Sequence, residues 1–289
     1  MTAARDLRRD PPARFRCVSR APSAIGTPLI EEVWTVEAER CSASVEAALP
    51  DGAAELYFNL GPIGRLQFQD GGALPSLPPS LGWVLGPRAG TVLVAKETRD
   101  CHIVGVRLQP GAAAVLLGVP AAELAGRLTD LEDLVGRARV AEVVERLAGV
   151  GTVAARLGLV ERAVLRWCGA PDDSVRLSTL VRRVAASGAG SIRGVADELG
   201  ISHRRVIDLC RRAVGLNPKR LQRVGRLRSI LERAHGSERP SWAGLAAECG
   251  FVDQAHLIHE FRALAGMTPS AYLTGRMAVG VGFVRHRAA

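Results

Sequence analysis

The chain has 289 residues, of which 47% are hydrophobic and 23% are charged, so it can form two domains that each bury a core. Its six cysteines lie far apart with no CxxC pair, which argues against a zinc knuckle and against a disulfide framework. No apolar run approaches the roughly 20 residues of a membrane span, and the N-terminus lacks the apolar segment of a secretory signal. We therefore expect a reduced, cytoplasmic protein with no membrane partner.

The positive charge is confined to one part of the chain. The net charge is +9. Residues 171–289 contain 19 Lys and Arg against 10 Asp and Glu, whereas residues 1–170 contain 19 of each. A GC-rich genome would explain why only Lys96 and Lys219 are lysines, but not why the excess lies in the C-terminal part. Such an excess attracts phosphate and favours double-stranded DNA as a partner.

Residues 13–108 carry a pattern typical of β-structure. Short apolar or alternating runs recur, and Gly, Pro and Asp separate them. This spacing predicts a small barrel or sandwich of short strands. Four aromatic residues either line a pocket for an apolar effector or fill the core of this part. They are Trp34, Tyr57, Phe58 and Trp83.

The pattern changes to a helical one from Pro110 onward. Residues 140–169 predict a longer helical segment, which either packs on the β-rich part or forms a dimer. Pro171 breaks this segment, and Asp173 or Ser174 caps the helix that follows.

A stretch near the C-terminus occurs twice. The first copy begins at Ser191 and the second at Ser241, and a shift of 50 residues superimposes their first halves. Each copy has a cap, a short helix, a glycine turn at Gly200 or Gly250, a second capped helix, a glycine and a proline. This order predicts two helix-turn-helix units, each with a recognition helix for the major groove.

In the first unit, Ser202 is expected to cap the recognition helix. Its outward face carries four candidate base-reading residues, Arg204, Arg205, Ile207 and Asp208, and two candidate phosphate contacts, Arg211 and Arg212. Arginine reads guanine with two hydrogen bonds. Asp208 either accepts a hydrogen bond from a cytosine amino group or orients a neighbouring arginine.

In the second unit, Asp253 is expected to cap the recognition helix. Its candidate base-reading residues are Gln254, which suits adenine, Ala255 and Ile258, which suit thymine methyl groups, and His259. Arg262 is a candidate phosphate contact. Ile258 and Ile207 occupy equivalent positions, where either methyl readout or packing on a neighbouring helix explains an outward isoleucine. His256 is expected to bond to the turn.

The connector between the units predicts one long helix. Asn217 is its cap and Pro218 its first residue. About 18 residues of helix span about 27 Å, which suits two recognition helices one DNA turn, about 34 Å, apart. Lys219 and Arg220 lie in the first turn of this helix, where they are candidate phosphate contacts.

Two stretches, from Ile201 to Leu221 and from Gly250 to Tyr272, resemble the DNA-binding domain of AraC/XylS-type bacterial transcription regulators. The resemblance implies seven helices with two helix-turn-helix units on one monomer. It also implies that the recognition helices start at His203 and Gln254. The sequence departs from the family at Asp208 and His259, where the family often has Arg, and at Cys210 and Leu257, where it often has an aromatic residue. The base preference of both units therefore stays open.

The segments from Leu49 to Gly61 and from Val104 to Gly136 are similar to a sensor domain that is fused to this module in actinobacterial regulators. That similarity implies a cupin-like barrel with an unknown small-molecule effector. The metal site of cupins is missing, because the sequence before residue 172 has one histidine, His102, and no HxH. We therefore expect neither a metal nor another cofactor.

The expected fold is of the α+β class, with an N-terminal β-barrel-like (cupin-like) domain and a C-terminal all-α domain. The expected divisions are a sensor domain at 1–136, a helical linker at 137–171, a DNA-binding domain at 172–276 that folds alone, and a disordered tail at 277–289. RNA polymerase and a second copy of the chain are further candidate partners.

The expected function is that of a sequence-specific transcription regulator. One alternative is an architectural protein that binds DNA without reading its sequence. Another is a sensor barrel that acts as an enzyme or through Cys17, Cys41 or Cys101. We favour a protein without catalytic residues, because no paired carboxylates, Ser/His/Asp set or phosphate loop can be assembled from residues 1–170.

Overall fold

The computed structural model of the chain describes residues 14–39, 44–62, 66–69, 76–77, 79–96, 100–168, 171–186, 192–235, 237, 239–275 and 283–285. A β-rich N-terminal domain precedes an all-α C-terminal domain, which confirms the expected fold class. Within the described ranges, no helix is long and apolar enough to cross a membrane.

The N-terminal domain contains two antiparallel sheets, whose order is β1-β2-β9-β4-β7-β10 in one and β11-β3-β8-β5-β6 in the other. The strands are β1 (Arg14–Arg20), β2 (Ile30–Glu39), β3 (Ser44–Ala48), β4 (Glu55–Asn59), β5 (Leu66–Gln69), β6 (Ser76–Leu77), β7 (Gly82–Leu85), β8 (Val92–Lys96), β9 (Cys101–Leu108), β10 (Leu128–Asp130) and β11 (Phe283–Arg285). Neither sheet closes into a barrel among the described residues, so the term barrel-like applies only loosely, and the two sheets correspond to the expected alternative of a sandwich. The edge strands β6 and β10 have only two and three residues.

Five helices cover the outer face of the six-stranded sheet. They are α1 (Ala112–Leu116), α2 (Ala121–Leu124), α3 (Leu131–Val135), α4 (Arg137–Ala148) and α5 (Val153–Leu165). Val140 and Leu147 of α4, together with Val160 and Val164 of α5, are buried in the same core as Leu56 of β4. The segment that we expected to be a linker therefore packs on the sheet and completes the N-terminal core.

The C-terminal domain consists of seven helices within residues 171–275, as the resemblance implied. They are α6 (Pro171–Ala186), α7 (Ile192–Glu198), α8 (His203–Val214), α9 (Pro218–His235), α10 (Trp242–Glu248), α11 (Gln254–Ala265) and α12 (Pro269–Gly275). The expected cap at Ser191 lies outside the described residues, and for Asp173 and Ser174 only the backbone is described.

Local sequence signals place both recognition helices, α8 and α11. The Ser202 hydroxyl accepts a hydrogen bond from the Arg205 N–H at 3.2 Å, and the Asp253 carboxylate accepts one from the His256 N–H at 2.7 Å. The glycine of each turn adopts the left-handed backbone conformation, with φ of 65° at Gly200 and 74° at Gly250. These conformations suit glycine because it has no Cβ. The helix-turn-helix geometry is thus encoded in the same way twice.

The two domains share a hydrophobic core. Ala47 and Leu49, at the end of β3, are fully buried in one cluster with Leu231 of α9 and Phe261 of α11. The five-stranded sheet therefore packs on the second helix-turn-helix unit, while its other face meets the six-stranded sheet through Ala48.

The segment at 277–289 does not conform fully to the expectation of a disordered tail. Phe283–Arg285 forms β11, which pairs with β3 and so satisfies backbone groups at the edge of the five-stranded sheet. The rest of that segment lies outside the described residues.

Candidate DNA interface

The predicted contact faces of α8 and α11 are open to an external partner. Among the base-reading candidates, Arg204, Arg205, Gln254, Ala255 and His259 are exposed, and Ile207, Asp208 and Ile258 are half-buried. The phosphate candidates Arg211, Arg212, Lys219, Arg220 and Arg262 are all exposed. Each recognition helix therefore presents its polar face outward while Val206 and Leu257 anchor it inward.

Basic residues divide into free and paired sets along α9. Lys219 and Arg220, in the first turn, have no ion-pair partner among the described residues, and Asn217 caps this turn by accepting from the Arg220 N–H at 2.9 Å. Further along, Arg223 is held by Glu260, and Arg233 lies 3.4 Å from Glu248. The helix therefore offers cations to phosphate at its N-terminal end only.

The arginines of α8 form the largest group of free cations in the candidate interface. Within the part of the chain that the structure describes, Arg204, Arg205, Arg211 and Arg212 have no ion-pair partner. Asp208 lies on the same helix but forms no ion pair with any described arginine, so the suggestion that it orients Arg204 or Arg212 is not supported by a contact. The four guanidinium groups are available for an anionic partner.

The two equivalent isoleucines differ in their surroundings. Ile258 packs against the core cluster of the second unit, in agreement with the packing explanation. Ile207 is half-buried and is not part of the core cluster that contains Val206. Packing therefore accounts for the outward isoleucine at Ile258, and both explanations stay open at Ile207.

Side chains on α9 and in the turn fix the position of α11. Arg223 donates two hydrogen bonds to Glu260, at 2.8 and 3.1 Å. Burial alone would raise the pKa of the Glu260 carboxyl, but the hydrogen bond and charge of Arg223, with Arg226 and His256, outweigh burial and lower it. The His256 Nδ1 accepts from the Val252 N–H at 3.4 Å, which confirms its expected structural role.

The four aromatic residues proposed for an effector pocket do not share one face. Trp34 and Tyr57 meet edge to face at 5.6 Å, and Trp83 lies opposite Tyr57 on the neighbouring strand, all on the side of the five-stranded sheet. Phe58 is fully buried on the opposite side, against Trp167. Adjacent residues of a strand point to opposite faces, so Phe58 is removed from the proposed pocket.

Burial disfavours the thiolate form of two described cysteines. Burial raises the pKa of the Cys210 thiol to about 12 and also raises the pKa of the Cys17 thiol. Thiolates are the reactive species, so these two thiols are poor nucleophiles. Cys101 is half-buried beside Trp34 and Val36, and Cys41 lies outside the described residues.

Three features escaped the sequence analysis. Leu49 completes the core of the second unit, Glu260 receives Arg223 and Arg226, and Arg228 of α9 pairs with carboxylates of the N-terminal domain. Each is a contact between residues that are far apart in the sequence, and no local sequence pattern predicts such contacts.

Comparison with known proteins gives two family matches. Residues 195–275 match the family described as a helix-turn-helix domain, and residues 19–130 match a domain of unknown function, DUF6597. No curated protein matches the sequence.

Three solved structures are similar to this chain. ToxT from Vibrio cholerae shares 10% identity over 90% of this chain and 97% of that chain, with a TM-score of 0.45. The AraC-like transcriptional activator CuxR shares 14% identity over 76% of this chain and 88% of that chain, with a TM-score of 0.25. KdgF from Halomonas sp. shares 14% identity over 35% of this chain and 85% of that chain, also with a TM-score of 0.25.

Proposed function

We propose that this chain, in which residues 195–275 form an AraC-type helix-turn-helix domain, is a sequence-specific transcription regulator that responds to a small molecule. The observation that carries the proposal is the pair of equivalent recognition helices on one chain, both with exposed contact faces. One monomer then reads two major-groove segments about one DNA turn apart.

The two units differ in the bases that their side chains can read. In the first unit, Arg204 and Arg205 suit guanine, while Ile207 offers a methyl contact. In the second unit, Gln254 suits adenine and Ala255 suits a thymine methyl group. The operator should therefore be asymmetric, with a guanine-containing segment under α8 and an A·T-containing segment under α11.

Selection of bound sites from random DNA, with the purified full-length protein, tests this function. We expect one recurrent site with two segments about 10 base pairs apart, and a specific affinity about 10³-fold or more above that for random DNA. A protein that binds all sequences alike, with a steep salt dependence, is instead an architectural DNA-binding protein.

The proposed effector site lies between the two sheets of the N-terminal domain. Trp34, Tyr57 and Trp83 share this face, and the Trp83 indole N–H is buried without a hydrogen-bond partner among the described residues. A small amphipathic molecule with an apolar body and a hydrogen-bond acceptor suits such a surface. We propose no catalytic role for this domain.

A thermal-shift screen of amphipathic molecules on the full-length protein tests the effector proposal, with the variant Trp83→Phe as the control. A genuine ligand stabilises the wild-type protein more than the variant, because the variant lacks the indole donor. Metal analysis runs in parallel, and stoichiometric zinc or iron would contradict the expectation of a metal-free site. Dimer formation and contact with RNA polymerase remain further proposals, which sedimentation and pull-down experiments can test.

A further inference from the structure

Six charged side chains form a cluster where the N-terminal domain meets α9, which we name the interdomain ion-pair cluster. Its members are Glu31, Asp51, Glu55, Arg88, Arg107 and Arg228. Five belong to the N-terminal domain, and Arg228 alone comes from the helix that joins the two DNA-reading units.

The N-terminal part of the cluster is closely bonded. Arg107 donates to Asp51 and, at 2.7 Å, to Glu55, and it lies 3.4 Å from Glu31. Arg88 is fully buried and lies within 3.9 Å of both Asp51 and Glu55. Burial lowers the pKa of Arg107 to about 10, so its guanidinium remains charged at neutral pH. The charged Arg107 side chain therefore lies among three carboxylates, of which Asp51 and Glu55 are buried.

Arg228 connects this cluster to α9. It donates to Glu31, lies 3.6 Å from Asp51, and donates to Glu232 on its own helix at 2.7 Å. Its side chain is 20% exposed. An arginine that is surrounded by three carboxylates has little capacity left for DNA phosphate, in contrast to Lys219 in the first turn of the same helix.

Two other contacts attach the recognition helices to the N-terminal domain at their C-terminal ends. The Thr91 hydroxyl donates to the carbonyl oxygens of Leu264 and Ala265, at 3.3 and 2.9 Å, at the end of α11. Gly215, at the end of α8, packs so closely on α2 that a Cβ would lie 2.8 Å from Ala125. The N-terminal domain thus contacts α8, α9 and α11 at the same time.

The cluster also extends toward the proposed effector site. The Tyr57 hydroxyl donates to Glu55 at 2.7 Å, and the Tyr57 ring meets Trp34. A continuous series of contacts therefore runs from the aromatic residues between the sheets, through Glu55, Arg107 and Glu31, to Arg228.

We propose that Arg228 is a positioning residue, which fixes α9 on the N-terminal domain and thereby sets the separation of the two recognition helices. The proposal rests on the function proposed above. Its consequence is that the cluster determines which spacing between the two DNA segments the protein accepts. A change at Tyr57 can reach the DNA-binding helices along the same contacts.

The test compares Arg228→Met with Arg233→Met in the full-length protein. Arg233 is the matched control, because it lies on the same helix but pairs with Glu248 inside the DNA-binding domain. Affinity is measured for the selected operator and for operators with one base pair inserted or removed between the segments. A second variant, Glu31→Gln, removes the charge partner and keeps Arg228.

We expect Arg228→Met and Glu31→Gln to lower the preference for the natural spacing by about fivefold or more, the lower end of coupling between sites. The slope of log affinity against log salt should not change, because no phosphate contact is lost. Unchanged spacing preference in both variants overturns the proposal. A uniform loss of affinity with a slope that is lower by about one unit makes Arg228 a phosphate contact and also overturns it.

Hydrogen exchange without DNA separates this inference from the proposed function. Arg228→Met should speed exchange in α9 and in β2, whereas Arg233→Met should leave β2 unchanged. If the wild-type protein selects no sequence, the proposed function fails while the exchange result still decides whether Arg228 anchors α9. Equal exchange in β2 for both variants overturns the anchoring role. Near-ultraviolet circular dichroism checks that the variants are folded.

Discussion

Replacement of Leu49 by alanine should destabilise the second DNA-reading unit from within the N-terminal domain. Leu49 is fully buried in the cluster that contains Leu231 and Phe261 of the helical domain. If the two domains were independent, a truncation at the end of β3 would affect the sheets alone. The shared core predicts that it also loosens α10, α11 and α12.

The size of the effect follows from the buried atoms. Leu49→Ala removes three buried carbon atoms, and at about 0.8 kcal/mol each their transfer to water accounts for about 2.4 kcal/mol. The cavity adds to this loss, because a sheet on one side and helices on the other prevent the surrounding side chains from filling it. Leu→Ala changes in protein cores cost about 2–5 kcal/mol in total. We expect a loss of about 3–4 kcal/mol in the free energy of unfolding, a large part of the about 5–15 kcal/mol of a typical domain.

The matched control is Leu56→Ala, the same truncation at a fully buried residue of β4 in the N-terminal core. Urea denaturation should give similar losses for both variants. Hydrogen exchange should then distinguish them, since only Leu49→Ala should weaken the protection of α11. Equal protection of α11 in the two variants would contradict the shared core and would favour a helical domain that folds independently.

Three further outcomes can be measured. Arg204→Ala should relax base preference at one DNA segment and Gln254→Ala at the other, each with a loss of about 1–3 kcal/mol in binding free energy. Footprints that change at the same base pairs in both variants would contradict two separate recognition helices. Lys219→Ala should weaken all sequences alike and lower the salt slope by about one unit, whereas Arg233→Ala, which removes a paired arginine, should not. Glu161 has a lowered pKa in the folded state, because hydrogen bonds from Ser23 and Arg20 outweigh the effect of burial. Its contribution to stability is therefore present above the unfolded pKa near 4.5 and is lost as the pH falls through the lower folded pKa. Glu161→Gln should therefore flatten the decline of the free energy of unfolding in acid. An unaltered decline in this variant would count against the assignment.

The helical domain was largely predictable because its signals are local. Capping residues, turn glycines and apolar spacing all lie within a few positions of the boundary that they determine, and α8 and α11 begin at His203 and Gln254 as expected. The long helix also runs from Pro218 to His235, close to the expected length of 18 residues. These features need no knowledge of the rest of the fold.

The strand order and the domain contacts were not predictable in the same way. Leu49 looks like an ordinary apolar residue, and Arg228 looks like one more cation on a basic helix, until the fold brings each to a partner on the other domain. The helical domain therefore appeared self-contained in the sequence although its core is shared. By contrast, the error at Phe58 was avoidable, because alternation along a strand already separates it from Tyr57.

The two helix-turn-helix units should differ in how exactly they must be placed on DNA. The reason is that charge attraction and hydrogen bonding depend differently on distance. Within the described residues, the first recognition helix carries four arginines without an ion-pair partner, including Arg211 and Arg212. The second has Arg262 and a carboxylate, Glu260, that pairs with Arg223 of α9. Charge attraction to phosphate acts over a Debye length of about 8–10 Å, so it tolerates small displacements of α8. Hydrogen bonds between Gln254 and a base edge need placement within about 0.5 Å. It is therefore consistent that α11 is tied at its centre by Glu260 and at its end by Thr91. On this basis we expect the first unit to supply most of the affinity for DNA, and we expect the second unit to depend more on the exact position that the N-terminal domain gives it.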